Sequence, residues 1–346
     1  MLATGLLRRS LRRNGLAFRA VGLATALAVA ACCTPGTASS TQGHASIQHV
    51  VIVVKENHSF DNYFGSLNAP PSSLAHCESA TVQDKCQYDS GDIPAYYRYA
   101  REFGYADNYF TDVRGPSWPN DMMMIAAQSP LTADPPQPLS TWACPVTCYD
   151  LPTIGERLTQ RGVGWRNYGD DPYNPFRSIQ RYANDRVHNV DVPQLFSDLN
   201  SGNLPAVAWV RPAGIDSEHP GFNIHRGEQW TVSIVNAIMN SRFWSSTAIL
   251  VTWDDAGTVA DHVRPPIVAG SPSGNAIRYG ERVALLVISP FTPRGMVSHE
   301  ILSHASLLRF VEDLFRLQPL TFRDRGANSL DGFFDLSMAP RAPLIL

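Results

Sequence analysis

Short runs of apolar residues recur along the chain and predict the strands of a buried sheet. The run HVVIVV at residues 49–54 contains five apolar residues, four of them valine. Comparable runs occupy residues 162–168, 205–210, 247–253 and 282–289. Because most of these runs are continuously apolar rather than alternating, they predict strands that are covered on both faces.

Helical patterns lie between the predicted strands. Residues 151–162 end at a glycine, residues 227–244 carry apolar side chains at helical spacing, and residues 303–315 begin with a candidate serine cap. Strands that alternate with helices predict an α/β fold with a mostly parallel central sheet and helices on both faces. Since no internal repeat or linker interrupts this pattern, residues 46–346 are predicted to form a single domain.

The first 31 residues have a different character and predict an export signal. They carry five arginines and no acidic residue, followed by an apolar run over 20–31. That run is shorter than the roughly 20 residues of a membrane span, so it fits a secretory signal. It ends in Val-Ala-Ala-Cys32, which resembles a bacterial lipobox and would attach the protein to a membrane through lipid on Cys32. Cleavage near Ala38 is the alternative and would release a secreted protein.

Charge and cysteine content narrow the possible partners and the compartment. Without the arginines of the signal, 23 basic residues face 31 acidic ones. A net negative chain lacks the basic surface that nucleic-acid binding needs, so no nucleic-acid partner is predicted. Small polar residues over 32–45 predict a flexible tether.

Residues 66–150 show little periodicity and predict a loop-rich insertion that shapes a substrate pocket. The insertion contains four cysteines, and export favours disulfides between the nearest pairs, Cys77–Cys86 and Cys144–Cys148. The sequence alone permits three pairings. A zinc site is the other interpretation, although the spacings do not repeat a ribbon or finger pattern.

Polar groups follow three of the predicted strands directly. Glu56 and Asn57 follow the first strand, Asp254 and Asp255 follow another, and His219 lies after a third. Adjacent carboxylates repel one another unless a cation lies between them. Carboxylate and amide oxygens are ligands that divalent cations prefer, so the strand ends predict a metal site. The alternative is a set of solvated turns and helix caps.

The segment GPSWPN places Ser117 at the start of a predicted helix. Helix N-termini favour anions, and a serine hydroxyl beside a divalent metal can attack phosphorus. Ser117 is therefore the candidate nucleophile. A simple helix cap or turn residue is the other interpretation.

Six segments together carry a resemblance to a known family: VVIVVKENHSFDNYFG, GPSWPN, DSEHP, VTWDDAGTVADHVRPP, ISPFTPRGMVSHE and HASLLRFVEDLF. In this order they resemble the bacterial phosphoesterase family of the alkaline-phosphatase-like superfamily, which contains phospholipases C and acid phosphatases. The similarity extends from about residue 47 to residue 336.

The resemblance implies an alkaline-phosphatase-like α/β/α sandwich and metal-dependent hydrolysis through a phospho-serine. By position in the motifs, the implied ligands of a divalent metal ion of unknown identity are Glu56, Asn57, Asp254 and Asp255. The catalytic residues implied are Ser117, His219 and His262, and Asn57 and Asn120 are the implied substrate-binding residues. His299 and His304 lie in family motifs without an assigned role. The chain departs from the family at Asp121, where many members have arginine or another larger residue.

Two substrate classes remain open within this resemblance. A phospholipase C would cut a phosphodiester of a phospholipid, whereas an acid phosphatase would cut a small phosphate monoester. The DDAGTVADHVRPP segment favours the first class and the short chain favours the second. A non-catalytic surface binding protein is the alternative from outside the enzymes, and it predicts a decayed site.

Overall fold

A nine-stranded sheet forms the centre of the computed structural model, which describes residues 47–68, 70–81, 85–169, 174–257, 261–268, 274 and 276–346. The predicted export signal and the whole of the predicted tether, including Cys32, lie outside the described residues. The described residues belong to one compact unit. Within them, no helix has both the length and the apolar character needed to cross a membrane.

The strands, in chain order, are β1 (His49–Lys55), β2 (Ala75–His76), β3 (Cys86–Gln87), β4 (Gly104–Phe110), β5 (Trp165–Tyr168), β6 (Asn189–Val190), β7 (Val207–Val210), β8 (Thr247–Trp253), β9 (Arg282–Ile288), β10 (Met296–Ser298) and β11 (Leu302–Ser303). The order across the sheet is β10-β4-β9-β8-β1-β7-β5-β6, with β11 also paired to β4. Only β9 runs antiparallel to its neighbours, and β2 and β3 form a separate two-stranded sheet.

The α-helices are α1 (Phe60–Phe64), α2 (Pro94–Glu102), α3 (Ser117–Ala126), α4 (Ile154–Arg161), α5 (Pro193–Ser201), α6 (Ile224–Met239), α7 (His304–Phe315) and α8 (Phe322–Gly326). Every residue of β8 and β9 is buried, as is β1 after its first residue, so both faces of the central sheet are covered. The predicted α/β sandwich with a mostly parallel sheet is confirmed. The five predicted strands correspond to β1, β5, β7, β8 and β9, and the three predicted helices to α4, α6 and α7.

The region 66–150 contains more regular structure than its sequence pattern indicates. It supplies α2, α3 and strand β4, which pairs with β9. The pattern of β4 is broken by Asp107 and Asn108, which lie where the pairing register shifts between Ala106 and Tyr109. A bulge of this kind removes the alternation by which a strand is recognised.

Both predicted disulfides are confirmed. Cys77 is bonded to Cys86 with their Cα atoms 5.0 Å apart, and Cys144 is bonded to Cys148 with a Cα separation of 4.5 Å. The first bond lies beside the small β2–β3 sheet, since Cys86 begins β3. These bonds constrain two loops within the insertion.

Candidate active site

The site is built where two central parallel strands end side by side. Lys55 of β1 lies opposite Trp253 of β8, and the Asp254 backbone N–H donates to the Lys55 carbonyl at 3.0 Å. Glu56 and Asp254 therefore leave the sheet together. The carboxyl ends of parallel strands are where α/β proteins place their ligands, and this register explains why the first strand ends in a carboxylate and an amide.

Asp254 fixes the backbone on both sides of this junction. Its Oδ1 accepts the backbone N–H of Asn57 at 3.0 Å and that of Asp255 at 2.7 Å. Asn57 adopts a left-handed conformation with φ of 58°, which asparagine tolerates better than most residues. Gly257 passes so close that a Cβ added to it would lie 3.1 Å from the Asn57 Cβ. The turn holding Asn57 is thus fixed from two strands.

Ser117 is the first residue of α3, and its hydroxyl faces the acids. Its Oγ lies 3.1 Å from Asp255 Oδ2, 3.3 Å from Glu56 Oε2 and 3.4 Å from Asn57 Oδ1. The helix is capped at Pro116 without a side-chain hydrogen bond, so the Ser117 hydroxyl does not cap its own helix. A hydroxyl has one hydrogen. Three acceptors around it therefore mark a convergence of oxygen atoms.

Arg211, which follows β7, links Glu56 to Asp121. Its guanidinium contacts both carboxylate oxygens of Asp121, at 2.5 and 3.0 Å, and donates to Glu56 Oε1 at 3.2 Å. All three side chains are buried. Asp121 of α3, where the resemblance predicts a departure from the family pattern, thus pairs with a cation from the end of β7.

Asn120 shapes the loop in front of Ser117 and does not face the cavity, contrary to the prediction that it binds substrate. The side chain is fully buried. Its Oδ1 accepts the Val113 N–H at 2.9 Å, and its Nδ2 lies 3.1 Å from the carbonyl oxygens of Val113, Gly115 and Pro116. Every polar atom of Asn120 is used on the backbone, which explains its place in the GPSWPN segment.

Four buried carboxylates surround one arginine in this site, and their pKa values are raised accordingly. Burial raises the pKa of Glu56 to about 7, and the Arg211 guanidinium opposes that shift. Burial also raises the pKa values of Asp121, Asp254 and Asp255 well above the usual range. One guanidinium cannot neutralise four carboxylates, so the site favours protons or a further cation.

The donor atoms fit a divalent cation. Carboxylate, amide and hydroxyl oxygens are ligands for hard cations. Asp254 Oδ2 is buried and has no hydrogen-bond partner among the described residues, although its other oxygen accepts two. The acids Glu56, Asp254 and Asp255 are not among the clusters whose ligand atoms all lie within 4.8 Å in the described part of the chain. Enclosing an ion would require these side chains to draw closer together.

One of the tighter clusters contains His262, together with Asp61 and Asp261. The Arg282 guanidinium supplies the positive charge that balances the carboxylates of this cluster. Its Nη2 lies 3.0 Å from Asp61 Oδ1, and its Nε lies 3.0 Å from Asp261 Oδ1. His262 Nδ1 lies 2.7 Å from Asp61 Oδ2. No hydrogen bond within the described residues connects His262 to Ser117. The structure therefore places His262 in an ion-pair cluster with Asp61, Asp261 and Arg282. The catalytic role of His262 stays a prediction.

His219 shares a cavity with the converging oxygens. The cavity has a volume of about 390 Å³ and is lined by His219, Asn57, Asp255 and the Gly115-Pro116 segment. His219 Nδ1 lies 3.0 Å from the Pro220 carbonyl. Because a carbonyl only accepts, Nδ1 carries a hydrogen, and Nε2 is left as the nitrogen for exchanging a proton.

Two other histidines support the site from behind. His304 Nε2 donates to the Asp254 carbonyl at 2.8 Å, and its Nδ1 lies 2.8 Å from the Tyr109 hydroxyl. His58 is fully buried, and burial lowers its pKa to about 3. Its Nε2 lies 2.9 Å from the Glu218 carbonyl, so His58 holds the loop that carries His219.

A buried polar junction lies beneath the site and joins the residues that precede its main groups. Lys55 precedes Glu56, Trp253 precedes Asp254, and Glu218 precedes His219. Lys55 Nζ lies 3.1 Å from Glu218 Oε1, and Trp253 Nε1 donates to Glu218 Oε2 at 3.2 Å. All three side chains are fully buried. The junction fixes the separation of three chain segments at once.

Sequence reasoning missed Arg211 and the Lys55–Glu218 pair, and it noted His304 without assigning a role to it. Arg211 directly follows an apolar run, so the strand-end signal that identified Glu56 and Asp254 could have identified it. Nothing in the sequence pairs Lys55 with Glu218, because 163 residues separate them.

The sequence matches the profile of the Phosphoesterase family over residues 47–84 and 75–318. The chain belongs to the Phosphoesterase family. The resemblance drawn from the six segments is thereby confirmed.

Two relatives of this phosphoesterase are named phospholipases C. The hemolytic phospholipase C of Pseudomonas aeruginosa is 25% identical, over 78% of this chain and 53% of the relative. Phospholipase C B of Mycobacterium tuberculosis is 26% identical, over 73% of this chain and 57% of the relative. The chain spans about half the length of these relatives.

The fold is similar to that of a solved structure, Ps i-CgsB in complex with k-i-k-neocarrahexaose. The TM-score is 0.50 at 10% identity, with 82% of this chain and 75% of that chain covered. At this identity the similarity concerns the fold alone.

Proposed function

We propose that the protein is an exported, metal-dependent phosphoesterase that hydrolyses phosphodiesters as a phospholipase C does. The observation that carries the proposal is the position of Ser117. Its Oγ stands at the head of α3, within 3.4 Å of side-chain oxygens from Glu56, Asn57 and Asp255. The phospholipase C names of the relatives favour a diester substrate over a monoester.

In the proposed first step, Ser117 Oγ attacks phosphorus and its proton passes to a neighbouring carboxylate. Asp255 Oδ2, at 3.1 Å, is the nearest acceptor. The bond from Oγ to phosphorus forms while the bond from phosphorus to the lipid alcohol breaks. His219 in its imidazolium form donates the Nε2 proton to the departing alkoxide. Water then attacks phosphorus and gives one proton to His219 Nε2 while the bond from phosphorus to Oγ breaks. Oγ recovers its proton from Asp255, which releases the phosphorylated head group and restores Ser117.

Glu56, Asn57, Asp254 and Asp255 would hold the divalent cation. When bound, such an ion lowers the pKa of an oxygen nucleophile and neutralises charge on phosphoryl oxygens. The chain's own contribution is to orient Ser117. Gly115, Pro116 and Asn120 fix the turn before α3, and Arg211 holds one Glu56 oxygen so that the other faces Ser117.

Export is part of the proposal, and the two disulfides support it, because such bonds persist in oxidising compartments. Attachment through Cys32 and free secretion are distinguished by fractionating cells that express the full chain or its Cys32→Ala variant. Envelope association that is lost in the variant supports the anchor. Equal release of both forms supports secretion.

The deciding experiment combines metal analysis with two chromogenic substrates, p-nitrophenyl phosphocholine and p-nitrophenyl phosphate. Faster turnover of the diester by the metal-loaded protein supports the proposal. Faster turnover of the monoester would support an acid phosphatase instead. No turnover of either ester would favour a binding protein. Full activity in demonstrably metal-free protein would exclude the metal-dependent route.

A further inference from the structure

A second cavity adjoins the loop that leads into the nucleophile's helix. It has a volume of about 600 Å³, within the usual range for small-molecule sites. Residues 112–114 line this cavity, and the next two residues, Gly115 and Pro116, line the cavity at Ser117. One short stretch of backbone thus separates the two spaces.

Helix α3 also connects the two cavities. Ser117 begins the helix, and its Oγ lies within 3.4 Å of Asn57 and Asp255, which line the first cavity. Met123, six residues later, lines the second cavity. At the rise of an α-helix, these positions are about 9 Å apart along the axis. This separation is within the reach of a long substituent on a ligand whose phosphate lies at Ser117.

The walls of the second cavity are largely apolar. The apolar side chains lining it are Val113, Met123, Ala127, Leu131, Ile277 and Phe322. They come from the loop before α3, from α3 and the segment after it, from the segment before β9, and from the start of α8. Transfer of an apolar chain from water into a cavity lined in this way is favourable, because it removes apolar surface from water.

Three arginines stand among these apolar walls: Arg114, Arg278 and Arg323. The Arg323 side chain is only 9% exposed and pairs with Asp112 through Nη2. Its Nε is buried and has no hydrogen-bond partner among the described residues. Arg114 is 79% exposed and lies 3.4 Å from Glu281. The cavity therefore combines an apolar interior with donors that suit an oxygen-bearing group.

We infer that this cavity binds an acyl chain of the phospholipid substrate, with an ester carbonyl of that lipid facing the arginines. The inference rests on the proposed function, because it requires the phosphate of the same molecule to lie at Ser117. It assigns the lipid portion to the Met123 side of α3.

Two variants narrow the cavity from different walls. Leu131→Trp and Ile277→Trp each place a large ring at a half-buried lining position. The quantity to measure is the ratio of kcat/KM for dioctanoyl-phosphatidylcholine, below its micellar concentration, to kcat/KM for p-nitrophenyl phosphocholine. We expect each variant to lower this ratio by roughly tenfold, which corresponds to about 1.4 kcal/mol of lost binding to the lipid portion.

Val187→Trp is the matched control, because Val187 is an exposed apolar residue just before the edge strand β6. Its ratio should stay within twofold of wild type. An unchanged ratio in both cavity variants would overturn the inference. Thermal unfolding verifies that each variant is folded.

A chain-length series on the wild-type protein tests the inference without any substitution. From dibutyroyl- to dioctanoyl-phosphatidylcholine as monomers, kcat/KM should rise with each added methylene pair. A flat series with active protein overturns the acyl-chain assignment and leaves the proposed function intact. Wild-type protein that cleaves neither the lipids nor the chromogenic diester overturns the proposed function as well.

Discussion

Arg211 and Asp121 form a two-point ion pair inside the site, with Nη1 2.5 Å from Oδ1 and Nη2 3.0 Å from Oδ2. The same Nη2 reaches Glu56 Oε1 at 3.2 Å. Both side chains are buried, and the cation that balances Asp121 comes from the end of β7.

The Asp121→Asn variant tests this arrangement. Loss of the carboxylate leaves Arg211 with one charged partner, so its guanidinium should shift toward Glu56 and pull that side chain away from Ser117. Breaking a buried pair costs roughly 3–5 kcal/mol. Because the amide retains one acceptor, we expect the free energy of unfolding to fall by about 2 kcal/mol. Turnover of the chromogenic diester should fall roughly tenfold or more.

Arg166→Lys is the control for Asp121→Asn, since Arg166 forms a comparable 2.5 Å pair with Asp198 away from the site. This control should lose stability without a specific loss of kcat. If Asp121→Asn lost stability but kept wild-type kcat, Arg211 would have only a structural role.

Ser117→Ala should abolish turnover while leaving the fold intact. Ser117 does not cap α3, so its removal should change the free energy of unfolding by no more than about 1.5 kcal/mol. Turnover should fall by several orders of magnitude because the covalent route is lost. Ser117→Thr keeps the hydroxyl and should retain part of the activity. An Ala variant with more than about a tenth of wild-type turnover, a barrier change under about 1.4 kcal/mol, would exclude Ser117 as the nucleophile.

Asp254→Asn should stabilise the metal-free protein while removing its response to metal. The Asp254 pKa is raised by burial and then by the Glu56 carboxylate, so its charged form is disfavoured. An amide keeps the oxygen that accepts two backbone N–H groups and removes one negative charge. We expect a gain of about 1–3 kcal/mol in the metal-free state. Tm should rise with added divalent metal in wild type and stay constant in the variant. A metal-induced Tm shift that persists would remove Asp254 from the ligand set.

Glu312 on α7 should make stability depend on pH. Burial, followed by the nearby Asp324 carboxylate, raises the Glu312 pKa to about 9. The unfolded chain releases this proton near pH 4.3, so the free energy of unfolding should fall as pH rises from about 4 to about 9. Glu312→Gln removes this titration and should be more stable than wild type by about 1–3 kcal/mol at pH 8. Calorimetry at pH 5 and pH 8 measures the difference.

The exposed Glu300 supplies the control, because Glu300→Gln should leave the pH dependence unchanged. Parallel curves of Tm against pH for wild type and Glu312→Gln would contradict the assignment to Glu312.

The central strands could be predicted because strands buried on both faces are continuously apolar in sequence. The same reasoning found Glu56, Asn57, Asp254, Asp255 and Ser117, since each polar group interrupts an apolar run or begins a helix. The Ser117 hydroxyl does lie within 3.4 Å of oxygens from Glu56, Asn57 and Asp255, and the metal-binding and catalytic roles of the five residues stay predictions. Their convergence required the register of β1 with β8, which only pairing in three dimensions establishes.

Other features left no local mark. β4 was missed because its bulge breaks the alternation. Asn120 was assigned to substrate because its motif position gives no information on side-chain direction, and the side chain points into the loop. Arg211 also lies at a strand end, but the sequence does not show that Asp121 is its partner.

The junction of Lys55, Trp253 and Glu218 determines how this enzyme can change over generations of mutation. Each member directly precedes a residue of the site, and Glu218 contacts the other two. A substitution of Lys55 or Glu218 leaves the charge of the other buried without its counter-charge, which costs more than the lost contact alone. Double substitutions at these positions should therefore be strongly non-additive. The three strand ends should therefore tolerate substitution only together. Changes of substrate specificity should arise more readily in the loops around the cavities than in the groups beside this junction.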